Sequence, residues 1–161
     1  MSPPSTLSLK GRALRYLAAR EHSRLELERK LHPYETEEGE LARVLDELQA
    51  KGFINEQRVA ESVVYRRANR LGAARIRQEL QGKGLDTATV QAALAPLRAN
   101  EAERAHAVWR KKFGSPAPDA AGRAKQMRFL AARGFSTDVI YRVVAATLDD
   151  SDLPENDHSG L

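Results

Sequence analysis

Cysteine is absent from the 161 residues, which excludes a disulfide framework, a thiolate nucleophile and a cysteine-ligated zinc site, and suits an intracellular setting. No apolar run approaches the roughly 20 residues that span a bilayer. The opening Met1-Ser2-Pro3-Pro4-Ser5 has neither the basic region nor the apolar stretch of a secretory signal. A soluble, cytoplasmic chain with no membrane association is expected. The ten glycines are scattered, and Gly82-Lys83-Gly84 reads as a helix stop, not a phosphate cradle. His22, His32, His106 and His158 are too dispersed for metal-ligand or general-base spacing and read as surface or boundary residues. Aromatics make up only 6%, too few to show the interleaving of rings and cations found in single-strand readers. Tyr16, Phe53, Phe129 and Phe135 fit core or cap positions, and Trp109 fits a core anchor. The carboxylates Glu26, Glu28, Glu37, Glu38, Glu40, Asp46 and Glu47 lie on amphipathic stretches and read as exposed charge and capping groups. No catalytic residue, cofactor site or metal site is expected.

What the chain does have is helix. Leu, Ala, Arg, Glu and Gln dominate segments with apolar spacings of three and four, and no period-2 alternation develops, so the reading is all-α. Ser23 with Glu26 forms a capping-box pattern and Asn100 with Glu103 a weaker one, while Asn55, Asp86 and Ser136 each precede a periodic run. Lys51-Gly52-Phe53, Lys83-Gly84-Leu85 and Arg133-Gly134-Phe135 share one stop: a cation, a glycine able to take the left-handed cap, and an apolar residue to fold back. Gly52, Gly84 and Gly134 are therefore structural.

An internal period underlies these signals. From Leu31 the apolar positions at +10, +13, +14 and +17 are Leu41, Val44, Leu45 and Leu48. From Leu80 they are Val90, Ala93, Leu94 and Leu97, and from Leu130 they are Ile140, Val143, Val144 and Thr147. Each copy follows a further helix, at about residues 11–20, 56–71 and 101–113. Three tandem three-helix repeats result, stacked because none has enough apolar surface alone. Their expected bounds are 9–54, 55–99 and 100–148, between an N-terminal tail (1–8) and an acidic tail (149–161) that are both expected to be poorly ordered. Repeat one departs from the pattern, with the proline-interrupted Leu31-His32-Pro33-Tyr34-Glu35-Thr36 in place of a glycine stop. The loop 114–118 is expected to let repeat three move relative to repeat two.

The net charge of +4 becomes +9 over residues 1–148 once the five acidic residues of the tail are set apart. A basic body of this kind suits nucleic acid or a carboxylate-rich protein surface. Arg66, Arg67, Arg70, Arg75, Arg77 and Lys83 face a single anion, Glu79, and a second concentration includes Arg104, Arg110, Lys111, Lys112, Arg123, Lys125, Arg128 and Arg133. Helical phase puts Arg66 and Arg70 on the polar side of their helix. Arg67 falls near the stripe of Ala60, Val64 and Leu71, so a structural ion pair with Glu79 is expected, since an unpaired buried guanidinium is costly. The expected partner-binding set is Arg66, Arg70, Arg75, Arg77, Lys83, Arg104, Lys111, Lys112 and Arg128.

Two segments together resemble the RecX family of bacterial regulatory proteins. One runs from Leu48 through Lys51-Gly52-Phe53-Ile54-Asn55 to Glu61 and on to Val63-Val64-Tyr65-Arg66-Arg67. The other is Gly72-Ala73-Ala74-Arg75-Ile76-Arg77-Gln78-Glu79-Leu80-Gln81-Gly82-Lys83-Gly84-Leu85. The likeness extends from about Leu9 to Val144. Val59 and Val63 stand where the family commonly carries aromatic residues. The resemblance implies tandem three-helix repeats, no catalytic residues, a cytoplasmic location, and RecA filaments on single-stranded DNA as the partner, with suppression of filament growth, ATP hydrolysis, strand exchange and co-protease activity. On this reading the chain is a monomer, elongated and curved, whose basic inner face lies in the filament groove as a wedge or cap. Two other readings stand beside it: a module that binds single- or double-stranded DNA directly, and a helical adaptor for an unrelated acidic protein.

Overall fold

The leucine register that predicts three helical faces is the register that is buried. Leu31, Leu80 and Leu130 are each fully buried, and Leu41, Leu45, Leu48, Val90, Leu94, Leu97, Ile140, Val143 and Val144 follow them inside. The structure, a computed structural model, describes residues 6–151, with side chains as far as Ala145. Residues 1–5 of the N-terminal tail, the Thr147 side chain, and Asp152, Glu155, Asp157 and His158 of the acidic tail lie outside the described residues. Among the described residues there are nine α-helices and no strand: α1 (Leu9–Ala19), α2 (Arg24–Leu31), α3 (Glu40–Ala50), α4 (Glu56–Arg67), α5 (Ala73–Gly82), α6 (Thr87–Leu94), α7 (Glu101–Lys112), α8 (Ala120–Ala132) and α9 (Thr137–Ser151). Short 3₁₀ turns follow α2 (His32–Tyr34) and α6 (Ala95–Asn100). The chain forms two compact units, Met1–Arg66 with Arg77–Ala95 and Arg67–Ile76 with Pro96–Leu161, so it crosses between them at the end of α4, within α5 and after Ala95.

In the first unit Leu9 and Ala13 of α1 meet Leu27 and Leu31 of α2, Leu41, Leu45 and Leu48 of α3, and Ile54. Burying a leucine completely stabilises by about 1.5–3 kcal/mol, so this cluster holds α1 to α3 together. Ser8 starts α1 by accepting from the Gly11 N–H (3.0 Å). The capping box at α2 is complete: Ser23 Oγ accepts from the Glu26 N–H, and the Glu26 carboxylate accepts from the Ser23 N–H (2.8 Å). Asn55 and Asp86 cap α4 and α6, accepting from the N–H groups of Arg58 (3.0 Å) and Thr89 (2.7 Å). Where repeat one departs from the pattern, Pro33 sits in the 3₁₀ turn, and Gly39, at φ +81°, opens α3.

In the second unit Ala105 and Trp109 of α7 pack with Leu130 of α8 and with Phe135, Val139, Ile140, Val143 and Val144. Trp109 is the expected core anchor, and its indole N–H donates to buried Gln126 Oε1 (3.0 Å). Gln126 Nε2 donates to the Ser115 carbonyl (3.2 Å), so the loop 114–118 is pinned to α8. The expectation that this loop frees one repeat from another is corrected: it joins α7 to α8, both in this unit. Asn100 also differs from its capping pattern, because its backbone is not extended and its Oδ1 accepts instead from Arg104 Nε (3.1 Å). Helix α9 continues through Asp149 and Asp150, where the acidic tail was expected to begin.

All three glycine stops have one backbone geometry. Gly52, Gly84 and Gly134 take φ of +80°, +78° and +90°. The following N–H closes the six-residue bond onto Leu48, Leu80 or Leu130 (2.9, 3.3 and 3.3 Å), and the glycine N–H closes the inner bond onto Gln49, Gln81 or Ala131. This is the Schellman arrangement, which satisfies the last carbonyls of each helix. The apolar residue after the glycine then diverges. Leu85 and Phe135 are buried (7% and 5% exposed), but Phe53 is 47% exposed, because Ile54 takes the inward place. Of the two places expected for it, core or cap, Phe53 takes the cap, with its side chain at the surface.

Candidate functional site

The expected partner-binding cations separate by what their side chains already hold. Arg66, on the exposed side of α4, donates Nε to the Ser62 carbonyl of its own helix (3.3 Å). The core face of α4 is Val59, Ala60 and Val63. Two further residues turn the helix by about 200°, which carries Tyr65 to the opposite side, where it is 89% exposed. Arg70, in the turn after α4, and Arg77, on α5, are also exposed. The exposed Tyr65 stands next to Arg66 in the chain, and the α4 stripe contains the signal for its exposure.

Three others are tied into the fold. Lys83 Nζ lies 2.5 Å from Glu26 Oε1, each side chain 14% exposed. Burial raises the Glu26 pKa, but the Lys83 ammonium, the Ser23 N–H and the Arg20 guanidinium together hold the carboxyl down to about 2. Glu26 is therefore more than the exposed capping charge expected. Arg104 is half-buried and donates Nη1 to the carbonyls of Ala68 and Leu71 (2.8 Å each). Burial lowers its pKa and Glu101 opposes that shift. Arg75 Nη1 donates to the Ala132 carbonyl (2.8 Å) although the side chain is exposed. Arg67 and Glu79 are both half-buried, with Arg67 Nε and Glu79 Oε2 inside.

The second concentration lies at the ends of α7 and α8. Arg110, Lys111 and Lys112 occupy the last turn of α7, where cations also suit the helix dipole. Lys112 Nζ and the Arg133 guanidinium lie 5.6 and 4.9 Å from the Phe129 ring centre, and Phe113 meets that ring edge-on. Lys125 and Arg128 are exposed on α8, and Arg123 is half-buried. Phe129 is thus the one ring that gathers cations in this unit among the described residues.

Gly72, within the second resembling segment, has a structural reason to be glycine. Its N–H donates to the Arg133 carbonyl (2.8 Å) and the Ala74 N–H to the Gly134 carbonyl (3.2 Å). The Ala73 N–H reaches Glu101 Oε1 (3.4 Å). The first turn of α5, which lacks a Ser, Thr, Asp or Asn cap, is capped by the C-terminal end of α8 and by Glu101. A Cβ on Gly72 would lie 2.3 Å from the Gly134 carbonyl carbon and oxygen.

His22 also departs from the surface or boundary position expected. It is buried, its Nδ1 3.1 Å from the Arg20 carbonyl and its Nε2 2.9 Å from Lys30 Nζ, an arrangement for a neutral ring that donates at one nitrogen and accepts at the other. Burial lowers its pKa, with the Arg20 bond opposing and the Arg20 and Lys30 charges adding to the shift. Among the described residues no group of three or more His, Cys, Asp or Glu could hold a metal ion. No described helix is long and apolar enough to cross a membrane.

Comparison with known proteins accounts for this architecture. Three successive family models match: the first three-helix domain of RecX over residues 10–48, the second over 55–94 and the third over 99–144. The chain is 56% identical over 138 residues to the regulatory protein RecX of Leptothrix cholodnii, covering 86% of this chain and 88% of that one. It is 48% identical over 155 residues to that of Ralstonia nicotianae, covering 94% and 98%. A crystal structure of regulatory protein RecX superposes with a TM-score of 0.73 at 25% identity, covering 86% of this chain and 71% of that one. The crystal structure of RecX from Lactobacillus salivarius has the same fold, with a TM-score of 0.72 at 24% identity over 86% and 94%. With all three domains matched and relatives of this identity along most of its length, the chain belongs to the RecX family of regulatory proteins.

Proposed function

We propose that this chain is a non-enzymatic, cytoplasmic regulator that binds RecA filaments on single-stranded DNA and inhibits filament extension, ATP hydrolysis, strand exchange and co-protease activity. Membership in a family of regulatory proteins, matched over all three domains, is the observation that carries the reading. The surface chemistry supports a polyanionic or carboxylate-rich partner. Arg66, Arg70, Arg77, Lys111, Lys112 and Arg128 are exposed, and we assign the partner contact to them, together with the exposed Tyr65. Arg75, Lys83 and Arg104, engaged with Ala132, Glu26 and the Ala68 and Leu71 carbonyls, are assigned to holding the fold instead. Inhibition follows if the bound regulator favours a filament geometry that does not turn over nucleotide, or blocks the next subunit from adding.

The test is a titration of the protein into RecA hydrolysing ATP on single-stranded DNA, with bare-DNA binding measured at the same salt. Loss of hydrolysis well below one regulator per recombinase indicates capped filament ends, and loss only near one to one indicates groove occupation. Unchanged hydrolysis with tight, steeply salt-dependent binding to bare DNA would replace this reading with that of a DNA-binding module. Reversing Arg66 and Arg70 together (R66E, R70E) is expected to raise the concentration needed for inhibition by roughly tenfold or more, leaving the helical spectrum unchanged. Full inhibition by that variant removes the α4 surface from the proposal.

A further inference from the structure

The proline-interrupted turn of the first repeat builds something the other repeats lack. Pro33 and the 3₁₀ turn carry Tyr34 out of the core, 46% exposed, and the Arg12 guanidinium of α1 lies over its ring, 3.8 Å from the centre. Together with Leu7, Arg15 and Tyr16 these side chains line a concave pocket of about 160 Å³. That volume is close to the ~150 Å³ that holds a benzene ring, so the pocket has room for one side chain. Two arginines share it, and among the described residues no carboxylate pairs with either. The acid that follows the turn, Glu35, is directed elsewhere, accepting from the Leu41 N–H at the start of α3 (2.9 Å).

We propose that this pocket binds the carboxylate of an acidic side chain presented by a partner protein. A guanidinium held over a tyrosine ring keeps N–H groups for an anion, and its fork matches a carboxylate in bidentate geometry. Two uncompensated cations call for an anionic head. Leu7, Tyr16 and Tyr34 offer apolar surface to a short methylene stem, which glutamate has and a phosphodiester lacks. The one-side-chain volume is too small for a base with its sugar and phosphate. Glutamate on an extended or helical segment fits all three requirements, and the inference does not depend on the partner being a recombinase.

The experiment uses the full chain, ¹⁵N-labelled, titrated by NMR with a blocked peptide Gly-Leu-Glu-Leu-Gly and with the same peptide carrying glutamine instead of glutamate. Saturable shifts at the Arg12 and Arg15 side-chain Nε–H and at the Tyr34 amide, given by the glutamate peptide alone, are expected. R12Q with R15Q abolishes the shift at the Tyr34 amide, and Y34A, which removes the ring beneath Arg12, weakens binding roughly threefold while Y34F retains it. Should the double variant fail to fold, R15Q alone, at an exposed position, provides the same test. Equal shifts from the glutamine peptide, or no saturation, overturn the proposal. Inorganic phosphate binding as tightly as the peptide reduces the pocket to a general anion site, and oligothymidylate binding there more tightly assigns it to nucleic acid; either result overturns it as well.

Discussion

The turns at Gly52 and Gly134 have the same backbone and opposite surroundings. Each glycine is left-handed, and each closes the same pair of hydrogen bonds onto the helix before it. A Cβ on Gly52 would meet nothing within 4 Å, whereas one on Gly134 would lie 2.5 Å from Arg75 Cγ and 2.6 Å from the Arg75 backbone nitrogen. The first turn is a surface, with Phe53 exposed upon it. The second is a docking plate, where α8 offers its final carbonyls to the unsatisfied N–H groups of α5. A three-residue stop therefore specifies how a helix ends and says nothing of what meets the end. That second property comes from the partner segment, here Gly72, whose missing side chain permits the approach.

Alanine at each glycine breaks this comparison most directly. Gly134→Ala incurs the left-handed strain, about 1–2 kcal/mol, together with overlap against the Arg75 backbone, for a total of roughly 3–5 kcal/mol. Gly72→Ala, free of that strain but equally overlapped, costs about 2–3 kcal/mol. Gly52→Ala meets open space and costs only the strain, about 1–2 kcal/mol. Urea unfolding followed by the lone tryptophan, Trp109, reads the first two within their own unit, and circular dichroism reads the third. Equal losses at Gly52 and Gly134 would show that the α5 to α8 junction contributes nothing beyond the turn.

A second contrast lies between Glu26 and Glu47, each held at a pKa of about 2. The exposed Glu47 is held by Lys10 first and then Lys51, each 2.8 Å away, where solvent and salt screen the attraction. Glu26 is enclosed with Lys83. Because its folded pKa lies below the ordinary 4.5, the unfolded chain takes up the proton first as pH falls. The stabilisation from Glu26 is complete above about pH 4.5 and is lost progressively towards pH 2, a change of about 3 kcal/mol. His22 adds an earlier loss of stability, beginning as pH falls below about 6.5, since burial opposes its protonation in the folded chain. Lys83→Met leaves Glu26 enclosed with Arg20 as its remaining cation. It is expected to cost roughly 2 kcal/mol at neutral pH and to raise the Glu26 pKa measured by carboxyl NMR. An unchanged Glu26 titration in that variant would refute the pairing.

Local signals were legible in the sequence wherever one stretch of chain decided the outcome. The leucine periods, the capping box at Ser23 and the three glycine stops each depend on residues within a few turns of one another. Burial by distant segments was not legible. Glu26 and Lys83 stand 57 positions apart, so a capping carboxylate and a stop-signal lysine gave no sign of meeting. Arg104 lay in a basic run and reads as a surface charge until α7 is placed against the carbonyls of Ala68 and Leu71. His22 was invisible for the same reason, as its enclosure depends on Tyr16 and Lys30 around it. Of the candidate surface, Arg66 and Arg70 follow from the phase of α4, and Tyr65 follows from the same phase once its apolar stripe is set by Val59 and Val63. The pocket at Tyr34 arises from the break in the repeat, which marks a difference without describing its shape.

The smallest effect separates two asparagines that read alike. Asn55 and Asn100 each stand immediately before a helix, but only Asn55 presents its Oδ1 to the backbone, accepting from the Arg58 N–H. Asn100, with φ −125° and ψ 14°, lacks the extended geometry of a cap, and its oxygen accepts from Arg104 instead. Asn55→Ala is therefore expected to cost about 1 kcal/mol, the ordinary value of a cap. Asn100→Ala removes one partly exposed side-chain bond, and Arg104 keeps its carbonyl partners at Ala68 and Leu71, so the expected cost is about 0.5 kcal/mol or less. Paired urea unfolding of the two variants decides the matter: an equal loss from both would mean that Asn100 caps α7 in solution and that its bond to Arg104 does not form there.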